Sequence, residues 1–429
     1  MLAKFIQKLF YIFIFFLSWQ TVFILREVKI NNEKFQYGTL GIYFFELLLS
    51  VWLLLNIVSL KKCSNKKILF SVLIFIGYSF LSIFWAYDKL LSLHLLFPLV
   101  LGALSFLVLQ EKLLNFKVFT FSLILSTSLH GLLGLYQFFT QSSFSNKWLG
   151  ISEHIVWQGG TSVLEIESAR FLRAYGGMLH PNILGGFLMI AILLGLCAYL
   201  KSSPKENYWK YFLLITLLVN FSAFLVTFSR SAFIALLAGL FFILTYYLYH
   251  KKIAQVKKLL SFIFIFIVIG IIFLLSFFNL FFNRITINSR LESKSIKERI
   301  VAIKESQELI YQNPFLGTGI GNYTSALIKN KNVTKEIWHF QPVHNIYLLI
   351  FSELGIFGFS FFLFIVIFII WDFFESFKKE DINRVIFSVI IVSLLILSLF
   401  DHWVWTSHSG IIIFWLLLGF SREKNINYV

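Results

Sequence analysis

Arg230 stands in the shortest connection between two apolar segments of the chain, Thr227-Phe228-Ser229-Arg230. A joint of this length leaves no room for a solvated loop, so the guanidinium must lie close to the ends of both apolar segments. There it can bind a phosphate through two parallel hydrogen bonds. An arginine that anchors a helix end by reaching toward water explains the position equally well. Arg230 is therefore a candidate anion ligand, with an anchoring role as the alternative.

His344 follows Pro342 at the start of another apolar segment. Proline favours the first helical turn, where unpaired backbone N–H groups attract anions. An imidazole, with its ordinary pKa of about 6.5, can accept a proton from a hydroxyl nucleophile at this position. The simpler interpretation is an interfacial histidine, and Asn345 beside it is then an ordinary interfacial residue as well.

His180-Pro-Asn182 opens a further apolar segment in the same manner. Gly185 and Gly186 lie one turn deeper, where small residues allow helices to approach closely. A helix cap with packing glycines explains this pattern. Arg173, seven residues earlier, is either an anion ligand or a plain loop charge.

Acidic groups inside apolar segments need partners or a function. Glu353 lies about 13 Å into its segment at 1.5 Å per residue, so it must face the protein interior or be neutral. Glu46 presents the same problem. Asp401, His402 and His408 cluster near the end of the last two segments, either as a hydrogen-bonded structural knot or as a contact to an acceptor sugar.

One polar stretch carries an amphipathic pattern and leads to Arg299. Isoleucines recur there at helical spacing among charged residues, at positions 296, 300, 303 and 310. The pattern predicts a helix packed against a surface, with Arg299 at the edge of the isoleucine stripe. Asn313-Pro314 ends this helix, and the glycines at 317, 319 and 321 predict a turn and not a dinucleotide fingerprint, because no strand precedes them.

The elements that must hold these residues are membrane helices. The 429 residues are 58% hydrophobic and only 14% charged, whereas soluble domains carry about 25% charged residues. The net charge of +16 is spread along the connections and not gathered on one face, so nucleic acid is not an expected partner. The composition therefore indicates a polytopic membrane protein.

Twelve apolar runs predict an all-α protein of about twelve transmembrane helices in a single domain, residues 1–429. The predicted spans are 5–25, 39–60, 68–86, 90–109, 117–140, 178–200, 209–228, 231–249, 259–282, 343–371, 384–401 and 408–420. The largest loop, residues 283–342, lies between the ninth and tenth spans and is expected to be partly helical. Residues 141–177 form the second long loop.

The distribution of Lys and Arg predicts the orientation. With both termini in the cytoplasm, 20 of the 37 Lys and Arg residues fall in inner segments and 8 in the shorter outer ones. The other nine lie in the loop of residues 283–342, which is too long to be governed by this bias. Both long loops are then expected outside the cytoplasm. Cys63 and Cys197 are expected to be unpaired thiols.

The order of the motifs resembles the O-antigen ligase and O-antigen polymerase family of integral membrane glycosyltransferases that use lipid-linked glycans. The resemblance covers about residues 173–419. It rests on Arg173-Ala-Tyr-Gly-Gly-Met-Leu-His180-Pro-Asn182, Thr227-Phe-Ser-Arg230-Ser, Glu298-Arg299 with Asn313-Pro-Phe-Leu-Gly317, and His344-Asn-Ile-Tyr-Leu-Leu-Ile-Phe-Ser-Glu353-Leu-Gly355. The Arg-x-x-x-Leu pattern of the family is here Arg299-Ile-Val-Ala-Ile303, a conservative departure.

The resemblance implies transfer of a glycan from a polyprenyl pyrophosphate to an acceptor hydroxyl on a glycan, lipid or protein. It implies no cofactor, metal or nucleotide, and a bacterial cytoplasmic membrane with the active site facing outward. His344 would be the catalytic base, and Arg230 and Arg299 would bind the pyrophosphate. Secondary substrate contacts would come from Arg173, His180, Asn182, Asn345 and Glu353.

Three questions stay open at the level of sequence. Ligase and polymerase differ in the acceptor, which the motifs do not identify. A secondary transporter or flippase of lipid-linked sugars is the alternative function, motivated by twelve helices and by Glu46 and Glu353. A non-catalytic assembly protein is a third possibility, motivated by the large outer loop.

Overall fold

The computed structural model is an all-α polytopic membrane protein, as predicted. It describes residues 2–30, 32–56, 66–110, 114–166, 169–286, 290–330 and 340–422. The first nine helices are α1 (Leu2–Phe16), α2 (Phe44–Leu55), α3 (Lys66–Leu81), α4 (Lys89–Leu109), α5 (Phe116–Thr140), α6 (Pro181–Lys201), α7 (Asn207–Val226), α8 (Arg230–Tyr249) and α9 (Ile253–Ser276). They are followed by α10 (Phe278–Thr286), α11 (Arg290–Gln312), α12 (Tyr323–Asn330), α13 (Ile346–Lys378), α14 (Ile382–Leu397), α15 (Trp403–Thr406) and α16 (His408–Phe420).

Eight helical segments of the described chain are long and apolar enough to cross a membrane. They are Ile68–Trp85, Lys89–Leu109, Phe116–Thr140, Pro181–Lys201, Asn207–Val226, Arg230–Tyr249, Ile253–Ser276 and Ile346–Lys378. The apolar helices α2, α14 and α16 are shorter, and α1 occupies the first predicted span. The predicted positions therefore all carry helices, while the number of twelve crossings stays a prediction.

The structure corrects the far end of the first predicted span and the start of the second. α1 ends at Phe16, and β1 (Val22–Arg26) pairs antiparallel with β4 (Leu40–Tyr43), which runs directly into α2. Hydropathy does not distinguish an apolar strand from a helix, and the run Val-Phe-Ile-Leu is rich in strand-forming residues. A smaller pairing of β2 (Lys29–Ile30) with β3 (Glu33–Lys34) lies between them.

α6 is the most enclosed of the eight candidate spans, with 94% of its span buried. A Cβ on Gly185 would lie 2.9 Å from the Cβ of Ser229, and one on Gly186 would lie 2.2 Å from the indole of Trp403. The predicted close approach at these glycines is confirmed. It presses the beginning of α6 against the α7–α8 joint and against α15. Farther along this helix, Cys197 is a buried free thiol, whereas Cys63 lies outside the described residues.

The loop of residues 141–177 contains a hairpin of β5 (Val163–Ile166) and β6 (Ala169–Leu172). Glu165 on this hairpin accepts from Arg290 at 3.1 Å and pairs with Arg170 at 3.6 Å. The hairpin is thereby fastened to the beginning of α11, so the two long loops lie against each other.

The large loop contains α11, which confirms the predicted amphipathic helix. The packed face differs from the prediction, because Ile300 and Ile303 are 51% and 40% exposed. Glu292, Ser306 and Leu309 are buried instead. Positions 292, 299 and 306 are seven residues apart and share one side of the helix, so Arg299 lies on the packed side. Residues 287–289 and 331–339 of this loop lie outside the described chain.

The predicted glycine turn is confirmed and packs into a kink of α13. Gly355 interrupts the helix with φ of +62° and ψ of −170°, a conformation that favours glycine. The N–H of Gly319 donates to the carbonyl oxygen of Glu353 at 2.8 Å, and that of Ile356 donates to Pro314 at 2.8 Å. These bonds fix the first part of α13 and, with it, the segment that carries His344.

Candidate active site at one end of the bundle

His344 lies in the short segment before α13, opposite the turn between α14 and α15. Its Nδ1 is 4.0 Å from Oδ1 of Asp401 and is a buried nitrogen for which the described chain supplies no hydrogen-bond partner. A backbone bond of 2.9 Å from Ile346 to Ser398 joins the two segments. The His344 side chain is 25% exposed, so the ring is enclosed beside Asp401 but still accessible.

Asp401 is a buried carboxylate held from two sides. Asn182 donates to its Oδ2 at 2.7 Å, and the backbone N–H of His402 donates to its Oδ1 at 2.8 Å. Asn182 in turn accepts from Arg173 Nη2 at 2.8 Å. Two of the predicted secondary residues, Arg173 and Asn182, therefore form a chain of hydrogen bonds to Asp401, which lies beside His344.

Arg173 is buried and fully engaged by the protein. Its Nε donates to the carbonyl oxygen of Thr227 at 2.8 Å, and its Nη1 donates to Ser162 at 2.7 Å. Burial lowers the pKa of this guanidinium to about 9, so it remains charged at neutral pH. These contacts tie the α7–α8 joint to the beginning of α6.

His180 precedes α6 and caps it, accepting a bond of 3.1 Å from the N–H of Asn182 through its Nδ1. The helix cap predicted for this motif is confirmed. Burial lowers the pKa of His180 well below its ordinary value, and the charge of Arg173 acts in the same direction. His180 is thus a neutral neighbour of Asp401, with its Nδ1 used by the cap.

Arg230 begins α8 and pairs with Glu292, Nη2 to Oε2, at 3.2 Å. Its side chain is 37% exposed, whereas that of Glu292 is only 6% exposed. The other oxygen of Glu292 is bound by Arg284. Glu292 thus bridges two arginines from different helices, and the ion pair offsets part of the positive charge.

One residue within the joint that precedes α8 is strained. Phe228 has φ of +49°, which is unfavourable for a bulky side chain. Its carbonyl oxygen accepts from Nε and Nη2 of Arg284 at 3.3 and 3.2 Å. Such strain persists only where surrounding contacts over-determine it, and here they hold the turn that presents Arg230.

Arg299 lies on α11 near both of the groups described above. Burial lowers its pKa, the charge of Asp401 raises it and the charge of Arg230 lowers it, with a net pKa below the ordinary value. Among the described residues, no ion pair or hydrogen bond occupies its guanidinium. The structure therefore brings Arg230, Arg299 and His344 into one electrostatic neighbourhood and leaves Arg299 available to an anion.

The environment keeps His344 neutral. Burial lowers its pKa, the carboxylate of Asp401 raises it, and the charge of Arg299 lowers it again, with a net pKa below the ordinary value. Burial raises the pKa of Asp401, but the charges that His344, His402 and His180 carry when protonated and the hydrogen bond from Asn182 lower it, and the net direction is down. The pair is therefore a carboxylate beside a neutral imidazole, the state required of a base.

Asn345 and Glu353 are held by the protein itself. Asn345 caps α13, accepting from the N–H of Leu348 at 3.0 Å, and its Nδ2 donates to Leu399 at 3.1 Å. Glu353 is buried and accepts from the indole N–H of Trp405 at 2.9 Å. The prediction that Glu353 faces the interior is confirmed. Both residues position the segments that carry His344 and Asp401.

Sequence reasoning missed Arg284 and Glu292 as parts of this site. Neither stands in a motif, and their pairing joins α10 to α11 across residues that give no periodic signal. Asp401 was singled out only as a member of a cluster. Its placement beside His344 depends on how α13 and α14 pack, which hydropathy does not reveal.

Three side chains in this site could hold a metal ion. The candidate ligand atoms of His344, Asp401 and His402 all lie within 4.8 Å of one another. The ring Nδ1 of His402 is hydrogen-bonded to Thr406 at 2.8 Å. Two imidazoles and a carboxylate form a donor set typical of zinc.

Two cavities adjoin the site. One, of about 30 Å³, lies in the apolar interior and is lined by Ile346 and Ser398, the residues that join the His344 and Asp401 segments. The other is a narrow crevice with no room for a water molecule, and it is lined by Arg284, Glu292 and the β5 strand. The larger cavity is apolar, so it lies beside the polar groups without containing them.

Comparison with known proteins gives a family match over part of the chain. No curated protein matches the chain. Residues 212–363 match the family model described as O-antigen ligase. That stretch includes Arg230, Arg299 and His344, whereas Arg173, Asn182 and Asp401 lie outside it. This match supports the resemblance inferred from the motifs over residues 212–363.

Proposed function

We propose that this protein transfers a glycan from a polyprenyl pyrophosphate to an acceptor hydroxyl at the outer face of a bacterial cytoplasmic membrane. The observation that carries the proposal is the neutral His344, paired with Asp401, in the same electrostatic neighbourhood as Arg299 and Arg230. A base beside cations suits a reaction in which a hydroxyl loses a proton while a diphosphate leaves. The O-antigen ligase family match supports glycan transfer in surface-polysaccharide synthesis.

The reaction follows from these groups. His344 accepts the proton of the acceptor hydroxyl, whose oxygen attacks the anomeric carbon of the lipid-linked sugar. The bond from that carbon to the pyrophosphate oxygen breaks as the new glycosidic bond forms, which inverts the anomeric configuration. The lipid pyrophosphate leaves with the electron pair. The energy of that bond drives the step, so no nucleotide or metal is required.

The arginines have different tasks before the donor binds. Arg299 is free of hydrogen bonds to the described residues and can engage the pyrophosphate directly. Arg230 is paired with Glu292, but its 37% exposure allows it to turn toward a second anion. Two guanidinium groups, each donating paired hydrogen bonds, offset the negative charge that develops on the leaving group. Each such donor contributes about 10²–10³-fold to the rate.

Asp401 acts on His344 and not on the substrate. A carboxylate near an imidazole stabilises the imidazolium that forms when the proton arrives. Asn182 and Arg173 keep this carboxylate in place, and Asn345 and Glu353 keep the two segments aligned. The predicted secondary residues thus act by positioning the base.

The experiment is a transfer assay in membranes, using a polyprenyl-pyrophosphate-linked oligosaccharide and cell-envelope extract. Arg230→Ala, Arg299→Ala and His344→Ala are compared with wild type at matched expression. Lys297→Ala is the control, because Lys297 lies on the same helix as Arg299, faces solvent and has no ion pair among the described residues. We expect transfer to fall at least 100-fold in the first three variants and to stay near wild type in the control.

The product distinguishes the remaining functions. A single addition to the acceptor identifies a ligase, and a ladder of repeat units identifies a polymerase. Movement of intact lipid-linked sugar without a new glycosidic bond would contradict the proposal in favour of a transporter or flippase.

A further inference from the structure

We propose that His344, Asp401 and His402 form a Zn²⁺ site, and that zinc bound there inhibits glycan transfer by occupying the base. The inhibitory part of this inference rests on the proposed function, because it requires His344 to act as the base. The binding part does not. It depends only on the three side chains and the contacts that hold them.

The spacing of the three ligand atoms is close to what zinc needs. All lie within 4.8 Å of one another, and the His344 Nδ1 to Asp401 Oδ1 distance is 4.0 Å. Tetrahedral zinc with ligands at about 2.0–2.2 Å places ligand atoms about 3.4 Å apart. Bringing the three ligand atoms about 1 Å closer together requires side-chain rotations. His344 lies in the segment before α13 and not within a helix, so its side chain has room to rotate.

The hydrogen bonds around these three side chains are of the kind that hold metal ligands in proteins. Nδ1 of His402 is hydrogen-bonded to Thr406 at 2.8 Å, which leaves its Nε2 for a metal. Oδ2 of Asp401 is held by Asn182 at 2.7 Å, while Oδ1 faces His344 and accepts one bond from the His402 N–H at 2.8 Å, which leaves it a second lone pair for a metal. Partners of this kind orient metal ligands in proteins. Nδ1 of His344 has no described partner, so coordination there breaks no hydrogen bond.

The chemistry of the set selects zinc over hard cations. Imidazole nitrogen suits Zn²⁺, whereas Mg²⁺ and Ca²⁺ prefer oxygen ligands. Arg299 lies near enough to affect both His344 and His402, and its charge opposes any cation. Two nitrogen ligands can outweigh that repulsion for zinc, while Mg²⁺ gains little from them. When the imidazole lone pair of His344 is coordinated to zinc, it cannot accept the proton of the acceptor hydroxyl.

Zinc binding is measured on the full chain in nanodiscs by equilibrium dialysis against ZnCl₂, with metal analysis. Wild type is compared with His344→Gln and His402→Gln. The control is His154→Gln, because the His154 ring stacks on Tyr175 with 3.6 Å between ring centroids and belongs to no ligand set among the described residues. We expect one zinc fewer per chain, or at least 10-fold weaker binding, in the first two variants only.

Inhibition is measured in the transfer assay after chelator treatment, with each variant referred to its own activity in chelator. Wild type should lose activity with ZnCl₂, recover with chelator and not respond to MgCl₂. His402→Gln should need at least 10-fold more zinc for the same inhibition. Thr406→Val, which removes the hydroxyl that orients His402, provides a milder variant with a smaller shift in the same direction.

Three outcomes would overturn the inference. One is unchanged zinc binding in both histidine variants. Another is equal inhibition of wild type, His402→Gln and Thr406→Val. The third is activation by zinc, which would make the metal a participant in the reaction. If chelator-treated wild type shows no transfer at all, the proposed function fails, whereas the dialysis result still decides the metal site.

Discussion

His344 stays neutral because burial opposes its protonation more strongly than Asp401 favours it. A base whose pKa lies below the ordinary value remains unprotonated as the pH falls toward that value, and it is lost only at lower pH. The proximity of Arg299 acts in the same direction as burial. The surroundings of His344 therefore lower its basicity and keep it unprotonated, and so able to accept a proton, at neutral pH.

The acid limb of kcat/KM tests this balance, and we expect its midpoint below about 6.5 in wild type. In Asp401→Asn the negative charge that raises the pKa of His344 is gone, so the limb should move to still lower pH. The rate at pH 7.5 should fall at least 10-fold. The profiles are measured from pH 4.5 to 8 with chelator present. A lower yield of folded protein with an unmoved limb would contradict the positioning role.

Glu292 supplies the negative charge that pairs with both Arg284 and Arg230. Glu292→Gln leaves Arg284 and Arg230 without their counter-charge, and we expect a loss of about 1–3 kcal/mol in the free energy of unfolding. Most of that loss should come through Arg284, because Arg230 is more exposed to solvent screening.

Glu298→Gln on the same helix is the control for Glu292→Gln. Its ion pair with Lys294 is exposed and 3.7 Å long, so its loss should change stability by less than about 0.5 kcal/mol. Thermal unfolding in detergent compares the two variants. Equal shifts would show that the buried bridge contributes nothing of its own.

At the scale of elements, the kink in α13 determines where His344 lies. Gly355 adopts a conformation that L residues rarely take, and a Cβ there would lie 2.2 Å from the carbonyl oxygen of Phe315. Gly317 approaches Glu353 equally closely from the other side. The glycine turn and the kink are thus one interlocked unit, and neither can take a side chain.

Gly355→Ala should therefore be strongly destabilising, by about 1–3 kcal/mol from backbone strain alone, with a further cost from the clash. Gly270→Ala in α9 is the matched control, because nothing lies within 4 Å of its Cβ position and it is expected to be neutral. Melting temperature and transfer activity report the two effects. Comparable behaviour of the two variants would contradict the interlocked unit.

These elements also explain what the sequence could predict. Hydropathy locates membrane helices because lipid requires long apolar runs, and Pro314 with the glycines of the turn marks the end of α11. Arg230, Arg299 and His344 were candidates from the sequence because motif order carries them, and their roles stay predictions. The strand at Val22–Arg26 was not, since an apolar strand and an apolar helix have the same composition. The Glu292 bridge was not predictable either, because charges separated along the chain meet only through packing.

At the scale of the whole molecule, polar contacts gather at two opposite ends of the bundle. One end carries the candidate site and both long loops. The other end carries the connections α6–α7, α8–α9 and α13–α14, with Lys117 paired to Glu206 and Lys252 paired to Glu380. The second end is rich in lysine, which predicts that it faces the cytoplasm. The site would then face outward, as the proposed transfer from a lipid-linked glycan requires.

Cysteine labelling tests this orientation in a chain carrying Cys63→Ser and Cys197→Ala. Gln158→Cys and Ser203→Cys place one exposed thiol at each end of the bundle. A membrane-impermeant maleimide applied to intact spheroplasts should label position 158 and not position 203, because the lysine-rich end is retained inside. After the spheroplasts are opened, both should react, which controls for accessibility of the thiol. The reverse pattern would place Arg299 and His344 on the cytoplasmic side, and transfer to an outer acceptor by this site would then be impossible.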